Sequence, residues 1–500
     1  MYTGDSAEKI RTARRPPAPR LTQPAPRDRH LLEDILEKPW IRPVLGWLSA
    51  MDAEGVSRLE RLCLAYDNPA ASRLERLKWW LPARLIDFVL ARRGIDRERA
   101  KKKLLHHVPT LRSLALAARG IARYGLSRPQ RFPAPLMVVW NFTQLCNLRC
   151  RHCYQSSTAE RPAGELTLEE KLRVVDELAA NGVPFLAVAG GEPLASKDLE
   201  PVLAHAARKG IHLTIATNGT LLTPERVRRL IDCGVKYIEV SIDSPDPAEH
   251  DRFRGVPGAW ARAIQGIENS VAAGMRTGLA TTFTRATVAK SDEMVRLAKN
   301  LGCATFSHFN FIPVGRGRDC AQYDLTPEQR EELLEKLVAV LQSGELNVIS
   351  TAPQFGRSCV MHLPGDGIFS IGHAGTGAGR KTMVLARYVG GCGAGRCYCC
   401  VEPDGRVTPC VYMPTVVVGN LRRQSLSEIW DCETFRILAD REDRGDHCAV
   451  CDLRVFCGGC RARALAYTGD LTAGDPGCRF NRHLWDEVSK IADTALSVLN

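Results

Sequence analysis

Three cysteines, Cys146, Cys150 and Cys153, are separated by three and then two residues and follow the apolar run Leu136 to Trp140. So short a span cannot close a four-cysteine zinc or iron–sulfur site by itself. Three thiolates can instead hold three corners of a [4Fe–4S] cluster and leave the fourth iron free for another ligand. An open coordination position is typical of a catalytic metal site, whereas a structural site is closed. The alternative is three ordinary buried thiols.

The chain has 500 residues, of which 19 are cysteine, 45% are apolar and 25% are charged. The length predicts two or three folded units, and the composition is that of a soluble globular protein. No apolar run reaches the roughly 20 residues of a membrane span, and the basic N-terminus lacks the apolar core of a signal peptide. We therefore expect a cytoplasmic protein, in which so many cysteines are metal ligands rather than disulfides.

Apolar runs typical of buried strands alternate with helical patterns in the middle of the chain. Six strand–helix alternations predict a parallel sheet with helices outside it. Because six units fall short of a closed eightfold barrel, we expect an α/β fold with a partial (β/α)6 barrel similar to a TIM barrel. The predicted strands are Leu136–Phe142, Pro184–Ala189, His212–Ala216, Tyr237–Ile242, Leu279–Phe283 and Thr305–Ile312.

Polar groups follow the first four strands, at the end where a parallel barrel carries its chemistry. After the cysteines come Gly190-Gly191-Glu192-Pro193, then Thr217-Asn218-Gly219, and then Ser241-Ile242-Asp243. Paired glycines let the backbone approach a ligand closely, and Glu192 can accept hydrogen bonds from an ammonium group. Ser241 and Asp243 alternate along a strand and so face the same side. One such motif is often only a cap, but four in register favour a site for a polar cofactor.

The C-terminal region contains a second set of cysteines with metal-ligand spacing. Two C-x2-C pairs in a cytosolic chain can hold a structural zinc ion. Seven spaced thiols in addition to the first three exceed a single zinc site, which favours iron–sulfur clusters. The seven are Cys392, Cys410, Cys448, Cys451, Cys457, Cys460 and Cys478.

The cysteine spacing, the strand before it, Tyr154 after it and the C-terminal cysteine order together resemble radical S-adenosylmethionine (SAM) enzymes with a C-terminal SPASM domain. The resemblance covers roughly residues 136–485. It implies that Cys146, Cys150 and Cys153 hold the SAM-binding [4Fe–4S] cluster, whose free iron is chelated by the amino and carboxylate groups of SAM. It also implies that the strand-end residues contact SAM; these are Tyr154, Gly190, Gly191, Glu192, Pro193, Thr217, Asn218, Ser241 and Asp243.

By the same resemblance, the C-terminal cysteines bind one or two auxiliary [4Fe–4S] clusters. The arrangement known in the family assigns Cys448, Cys451, Cys457 and Cys478 to one cluster. It assigns Cys392, Cys410 and Cys460 to the other, and the fourth ligand stays open among Cys359, Cys397, Cys399 and Cys400. In one respect the chain departs from the family pattern, because Gly458-Gly459 leave two residues rather than three within the last pair.

The N-terminal region is strongly basic. Residues 1–135 contain 27 lysine and arginine residues against 14 acidic ones, a net charge of +13, whereas the whole chain carries +12. Such a charge favours an anionic partner. An apolar stretch from Trp79 to Leu90 precedes Arg92-Arg93, so this region either caps the neighbouring domain or contacts an anionic membrane surface.

The predicted organisation has six parts. One of them, a connecting region at residues 321–390, is expected to contain a helix at Leu325–Leu341 and a loop at Gly365–Arg380. The parts are a disordered basic tail (1–30), a helical basic region (31–126), the partial barrel (136–320), a connecting region (321–390), the SPASM-like domain (391–485) and a C-terminal helix (486–500).

The resemblance implies an oxidoreductase or maturase that cleaves SAM reductively to a 5′-deoxyadenosyl radical and modifies an unreactive C–H position. It implies a low-potential electron donor such as flavodoxin or ferredoxin. The substrate is a peptide or protein, or a tetrapyrrole, with a lipid at the membrane surface as a further alternative. A non-enzymatic iron–sulfur scaffold or a zinc-dependent nucleic-acid binder is a different class. We expect no specific nucleic acid, because no helix-turn-helix pattern or zinc-finger histidine spacing is present.

Overall fold

The computed structural model describes residues 31–52, 54–66, 72–92, 96–101, 105–362, 367–370 and 376–497. The strands that it describes are β1 (Met137–Asn141), β2 (Phe185–Ala189), β3 (His212–Thr217), β4 (Val235–Ser241), β5 (Thr277–Thr282), β6 (Thr305–Phe309), β7 (Asn347–Ser350), β8 (Ile368–Ser370), β9 (Thr376–Ala378), β10 (Tyr398–Val401), β11 (Arg406–Thr408) and β12 (Gly419–Asn420).

The α-helices that it describes are α1 (Leu31–Leu36), α2 (Ile41–Ser49), α3 (Arg58–Ala65), α4 (Arg73–Arg92), α5 (Arg97–Ala100), α6 (Val108–Tyr124), α7 (Leu168–Ala180), α8 (Leu199–Arg208), α9 (Pro224–Asp232), α10 (Pro247–Arg254), α11 (Ala259–Ala272), α12 (Ser291–Asn300), α13 (Pro327–Ser343), α14 (Gln354–His362), α15 (Gly379–Val389), α16 (Leu426–Trp430), α17 (Glu433–Ala439), α18 (Asp446–Val450), α19 (Arg461–Thr468) and α20 (Arg482–Ser497). Short 3-10 helices occur at Pro193–Ala195, Val288–Lys290, Gly315–Tyr323 and Arg479–Asn481.

A single large sheet forms the centre of the molecule. Strands β1 to β7 lie in chain order and are all parallel. On the other side of β1, β10 adds a further parallel strand, with Val139 opposite Cys400, and β11 and β12 continue antiparallel. Because β12 and β7 are the two edges, the sheet is open. The predicted partial barrel is therefore confirmed, and it extends beyond the six predicted strands.

Side chains alternate between the two faces of this sheet, as the twofold period of a strand requires. On β1, Val138 and Trp140 are fully buried in the main core, whereas Met137 and Val139 face a cavity on the concave side. The inward positions of β2 and β3 hold small residues, Ala187 and Ala189 on β2 and Thr214 and Ala216 on β3. Large outward and small inward residues leave room for ligands inside the curve.

Local signals account for several helix boundaries. Helix α13 begins after a capping box in which Thr326 and Gln329 bond each other's backbone N–H groups, and Pro327 occupies its first turn. The helix predicted at Leu325–Leu341 is therefore confirmed, two residues later. The loop predicted at Gly365–Arg380 is wrong where the structure describes it, because β8 and β9 pair antiparallel there and α15 begins at Gly379.

The N-terminal region is helical in its described parts, as predicted, while the tail 1–30 lies outside the described residues. A buried ion pair between Arg112 and Glu60 joins α6 to α3 at 3.4 Å. Two hydrogen bonds of Tyr388 connect this region to the rest of the chain. The Tyr388 hydroxyl donates to the Glu33 carboxylate, and the Tyr388 carbonyl accepts from the Gln130 N–H at 2.8 Å. None of the described helices combines the length and the apolar character that crossing a bilayer requires.

Candidate functional site

A cavity of about 460 Å³ lies on the concave side of the sheet. The inward side chains of β4 line it at alternate positions, namely Tyr237, Glu239 and Ser241, and Asp243 follows beyond the strand end. The alternation predicted for Ser241 and Asp243 therefore places both of them on the cavity. The same space is bounded by Cys146, Cys150 and Cys153.

We call residues 146–153 the cysteine loop. Backbone hydrogen bonds at 3.0 Å anchor it, because the N–H groups of Arg149 and Arg151 donate to the carbonyls of Arg254 and Phe253. On another side, the Arg316 guanidinium donates to the carbonyl of Cys150 at 3.0 Å. The three thiols are thus held by contacts with the barrel that lie far from them in sequence.

Glycines allow the barrel to approach this loop closely. A Cβ on Gly191 would lie 2.8 Å from the carbonyl carbon of Leu145 and closer still to its oxygen, and Gly190 has a φ of +118°. A Cβ on Gly315, whose φ is +58°, would lie 2.5 Å from the carbonyl oxygen of Cys153. From the sequence, the Gly190-Gly191 pair is predicted to let the backbone approach a ligand closely. In the structure, the close neighbour of both glycines is the backbone that leads into the cysteine loop.

Glu192 is fully buried and does not line the cavity. Its carboxylate accepts from the Thr217 hydroxyl at 2.7 Å and from the backbone N–H groups of Asn218 and Leu194 at 2.8 and 3.0 Å. Burial raises the pKa of this carboxyl group, although these three donors oppose the shift. The residue joins the ends of β2 and β3, and Pro193 behind it starts a short 3-10 helix.

The other predicted SAM-contacting side chains lie together on the cavity wall. Tyr154, Thr217, Asn218, Ser241 and Asp243 all border it with the cysteines. The Asn218 amide donates to the side chain of Asn147 in the cysteine loop at 2.8 Å, and the Tyr154 hydroxyl donates to Asn141 at 2.9 Å. These contacts fix the strand ends relative to the loop.

A buried charged group, Arg254 with Asp243 and His152, lies beneath the loop. Arg254 pairs with Asp243 at 2.7 Å and donates to the Cys150 sulfur at 3.8 Å. His152 stacks on Phe253, with ring centroids 4.2 Å apart, and its Nε2 lies 3.7 Å from Asp243. Burial alone would raise the pKa of Asp243, but Arg254 and His152 hold it below its usual value. A guanidinium placed here favours negative charge on Cys150.

Cys392, Cys410 and Cys460, which we call the proximal cysteine group, border the same cavity. The Tyr398 hydroxyl also borders it and donates to the Cys410 sulfur at 2.7 Å. Of the four cysteines left open as a fourth ligand, none borders the cavity. Cys359 and Cys399 are fully buried in the main core, Cys397 packs on Leu116 and Phe132, and Cys400 contacts Glu402.

Cys448, Cys451, Cys457 and Cys478, which we call the distal cysteine group, do not border the cavity. Gly459 lies between two of them, because its N–H donates to the Cys457 sulfur at 3.4 Å and a Cβ on it would lie 3.1 Å from the Cys448 sulfur. Gly458 and Gly459 both have positive φ, +69° and +65°. The two-residue spacer of this chain is therefore a tight turn that only glycine adopts easily.

The described cysteines are not gathered as tightly as the ligands of a single zinc ion. Zinc–sulfur bonds of about 2.3 Å in a tetrahedron place thiolates about 3.8 Å apart. Among the described residues, Glu331, Glu335 and His362 bring three potential ligand atoms within 4.8 Å of one another. No three of the described cysteines do so. Burial raises the pKa of Cys146 to about 12, so its thiolate needs compensating positive charge such as that of iron. The three thiols of the cysteine loop share one cavity, as the ligands of a single metal group must.

Comparison with known proteins agrees with this donor set. A model of the radical SAM superfamily matches residues 140–298, and a model of the SPASM iron–sulfur cluster-binding domain matches residues 392–452. The AdoMet-dependent heme synthase of Methanosarcina barkeri is 37% identical over 348 residues, which span 69% of this chain and 96% of that protein. The chain belongs to the radical SAM superfamily. This radical SAM chain is an enzyme whose cofactors are SAM and [4Fe–4S] clusters, and it carries a SPASM domain.

This radical SAM enzyme is also similar to proteins that are not heme synthases. The mycofactocin maturase MftC of Mycobacterium tuberculosis is 31% identical over 353 residues, 69% of this chain and 83% of that protein. Among solved structures, Streptococcus suis SuiB bound to S-adenosylmethionine has a TM-score of 0.59 at 17% identity, covering 85% of this chain and 93% of that one. At that identity the likeness shows the fold.

Proposed function

We propose that this enzyme oxidises an unreactive C–H position of a carboxylate-bearing tetrapyrrole inside the 460 Å³ cavity. The observation that carries the proposal is that the cysteine loop and the proximal cysteine group border one and the same cavity. A substrate held there would lie between the site of radical formation and a site able to take an electron. An oxidation needs both.

The chain's own residues have defined tasks in this scheme. Cys146, Cys150 and Cys153 would hold the SAM-binding cluster, and the proximal and distal groups would hold auxiliary clusters. When these cofactors are bound, one electron from a flavodoxin or ferredoxin splits SAM into methionine and a 5′-deoxyadenosyl radical, which becomes 5′-deoxyadenosine by taking a hydrogen atom from the substrate. A cluster held by Cys392, Cys410 and Cys460 would supply an acceptor for the one electron that the substrate radical must lose, together with one proton, to give the oxidised product.

The barrel supplies orientation and excludes water. Arg254 stabilises negative charge on Cys150, and Asp243 holds Arg254 in place through their 2.7 Å ion pair. Glu192 locks the ends of β2 and β3, so Thr217 and Asn218 present fixed polar groups to the cavity. The small inward residues of β2 and β3 leave the interior free for cofactor and substrate.

Two observations favour a tetrapyrrole with carboxylate side chains. The relative that is 37% identical is an AdoMet-dependent heme synthase, and other relatives are an Fe-coproporphyrin III synthase and a pre-heme d1 synthase. Arg316 borders the cavity and donates to the carbonyls of Cys150 and Ser157, and it has no carboxylate partner among the described residues. Its charge is therefore available to a substrate carboxylate.

A peptide substrate is the second candidate, favoured by the 31% identity with a mycofactocin maturase. The N-terminal region counts against it. Peptide-modifying members of the family often carry a small peptide-binding domain that contains strands, whereas the described parts of residues 31–124 are helical apart from an isolated bridge between Met51 and Ser57. A lipid substrate stays the third candidate, since the basic region would suit a membrane surface.

Anaerobic reconstitution followed by turnover assays tests the proposal. The wild-type chain should bind about twelve irons, which is three [4Fe–4S] clusters, and form 5′-deoxyadenosine. Changing Cys146, Cys150 and Cys153 together to alanine should remove about four irons and all SAM cleavage. Incubation with iron coproporphyrin should give an oxidised porphyrin detectable by mass spectrometry. SAM cleavage by the triple variant would overturn the radical assignment, and turnover of a peptide but no porphyrin would overturn the substrate class.

A further inference from the structure

The N-terminal helices carry an unusual share of the exposed apolar surface. Sixteen large apolar side chains are exposed among the described residues, and eight of them fall between residues 40 and 114. The family models match only from residue 140 onward, so this surface is not part of the matched domains. The eight are Trp40, Val44, Trp47, Leu74, Leu77, Trp80, Phe88 and Leu114.

Four of these side chains form one face of α4. Leu74, Leu77, Trp80 and Phe88 are 81%, 79%, 58% and 61% exposed. At 100° per residue they fall within an arc of about 120°. On the opposite face, Ile86 packs on the small core around Cys63 and Tyr66. Helix α4 is therefore apolar on two faces, and the protein covers one of them. A helix that is apolar all round is normally buried, so the exposed face needs an occupant.

The charges on this face are positive. Arg73 and Arg84 are exposed and fall within the same arc. Asp87, the acidic residue of α4 whose side chain the structure describes, falls outside it by the same geometry. Asp87 is in addition neutralised by Arg97 at 3.3 Å. The side chains that the structure describes on this face are apolar or cationic, and residues 1–135 as a whole carry a net charge of +13.

We infer that the exposed face of α4 docks on an anionic lipid surface. Leucine, phenylalanine and tryptophan flanked by arginine are the residues by which amphipathic helices settle at the boundary between headgroups and acyl chains. Each basic residue near an anionic bilayer strengthens binding about fivefold, so the basic N-terminal region reinforces the attachment. The inference does not depend on the substrate.

Vesicle co-sedimentation of the full-length, cluster-loaded chain tests this inference. Binding to vesicles of phosphatidylcholine with phosphatidylglycerol should be at least tenfold tighter than to phosphatidylcholine alone, and high salt should weaken it. The variant Leu74→Ser/Leu77→Ser/Trp80→Ser should lose at least tenfold in binding. Because these side chains are exposed, its iron content and SAM cleavage should match the wild type, which shows that it is folded.

A matched control is Val417→Ser/Ile437→Ser, which removes exposed apolar side chains remote in sequence from α4. It should bind anionic vesicles like the wild type. Equal and negligible binding of the wild type to both kinds of vesicle would overturn the inference, as would undiminished binding by the triple variant. Sedimentation velocity measures the competing occupant. A dimer that the triple variant dissociates, without vesicle binding, would show that a second copy covers the face and would also overturn the inference.

Discussion

The substitution Gly191→Ala is expected to destroy the SAM-binding cluster site and to leave the auxiliary sites intact. The new Cβ would lie 2.8 Å from the carbonyl carbon of Leu145, and carbon atoms in contact are about 3.5 Å apart. The backbone before Cys146 must therefore move by roughly 0.7 Å. Metal–ligand distances tolerate about 0.2 Å, so a displacement of this size removes Cys146 from ligand range. Overpacking of this kind costs about 1–3 kcal/mol, which a chain of this size survives.

The assay is iron and sulfide content with SAM cleavage after anaerobic reconstitution. Iron should fall from about twelve to about eight per chain, and formation of 5′-deoxyadenosine should fall to background. Gly46→Ala in α2 is the matched control, because a Cβ there would meet its nearest neighbour, the Cβ of Ala122 in α6, at 3.7 Å. That variant should keep all of its iron and activity. Full iron content and normal SAM cleavage in Gly191→Ala would refute the argument that this glycine seats the cysteine loop.

Three further outcomes are expected. Alanine at the four distal cysteines should leave uncoupled 5′-deoxyadenosine formation intact and abolish product; normal product would show that this site is structural, provided that soluble yields are equal. Tyr398→Phe removes a hydrogen bond to the Cys410 sulfur and should therefore lower the reduction potential of the proximal cluster. An EPR-monitored titration measures this potential, with Tyr412→Phe as the control, and an unchanged potential would contradict the prediction. Asp198→Asn leaves the fully buried Lys171 unpaired and should cost about 3 kcal/mol at pH 7. Burial alone would raise the pKa of Asp198, but Lys171 holds it below its usual value. This contribution is therefore complete above about pH 5 and is lost as the pH falls through the lowered pKa; a melting-temperature difference that is the same at about pH 2 as at pH 7 would contradict it.

The sequence alone was sufficient for the parts of this protein that are encoded locally. The spacing of Cys146, Cys150 and Cys153, the polar groups after four strands and the alternation of Ser241 with Asp243 are properties of short segments. A strand repeats every two residues and a helix every 3.6, so apolar periodicity predicts both element type and facing. The parallel partial barrel and the common facing of Ser241 and Asp243 followed from those periods.

Long-range contacts could not be predicted in the same way. Backbone hydrogen bonds between strands are the same for every residue type, so nothing in Tyr398–Val401 indicates that it pairs with β1. This one pairing joins the C-terminal domain to the barrel edge. The proximal cysteine group thereby reaches the cavity of the cysteine loop.

The roles of individual side chains also depended on tertiary packing. The sequence shows that Glu192 can accept hydrogen bonds from an ammonium group, and the fold adds three donors of its own chain around the carboxylate. Arg254 lies next to Cys150 because α10 ends against the cysteine loop, although the two residues are 104 positions apart. A motif shows which chemical groups are available. Which of them face a ligand and which hold the frame is decided by burial and by the partners that the fold places around each group.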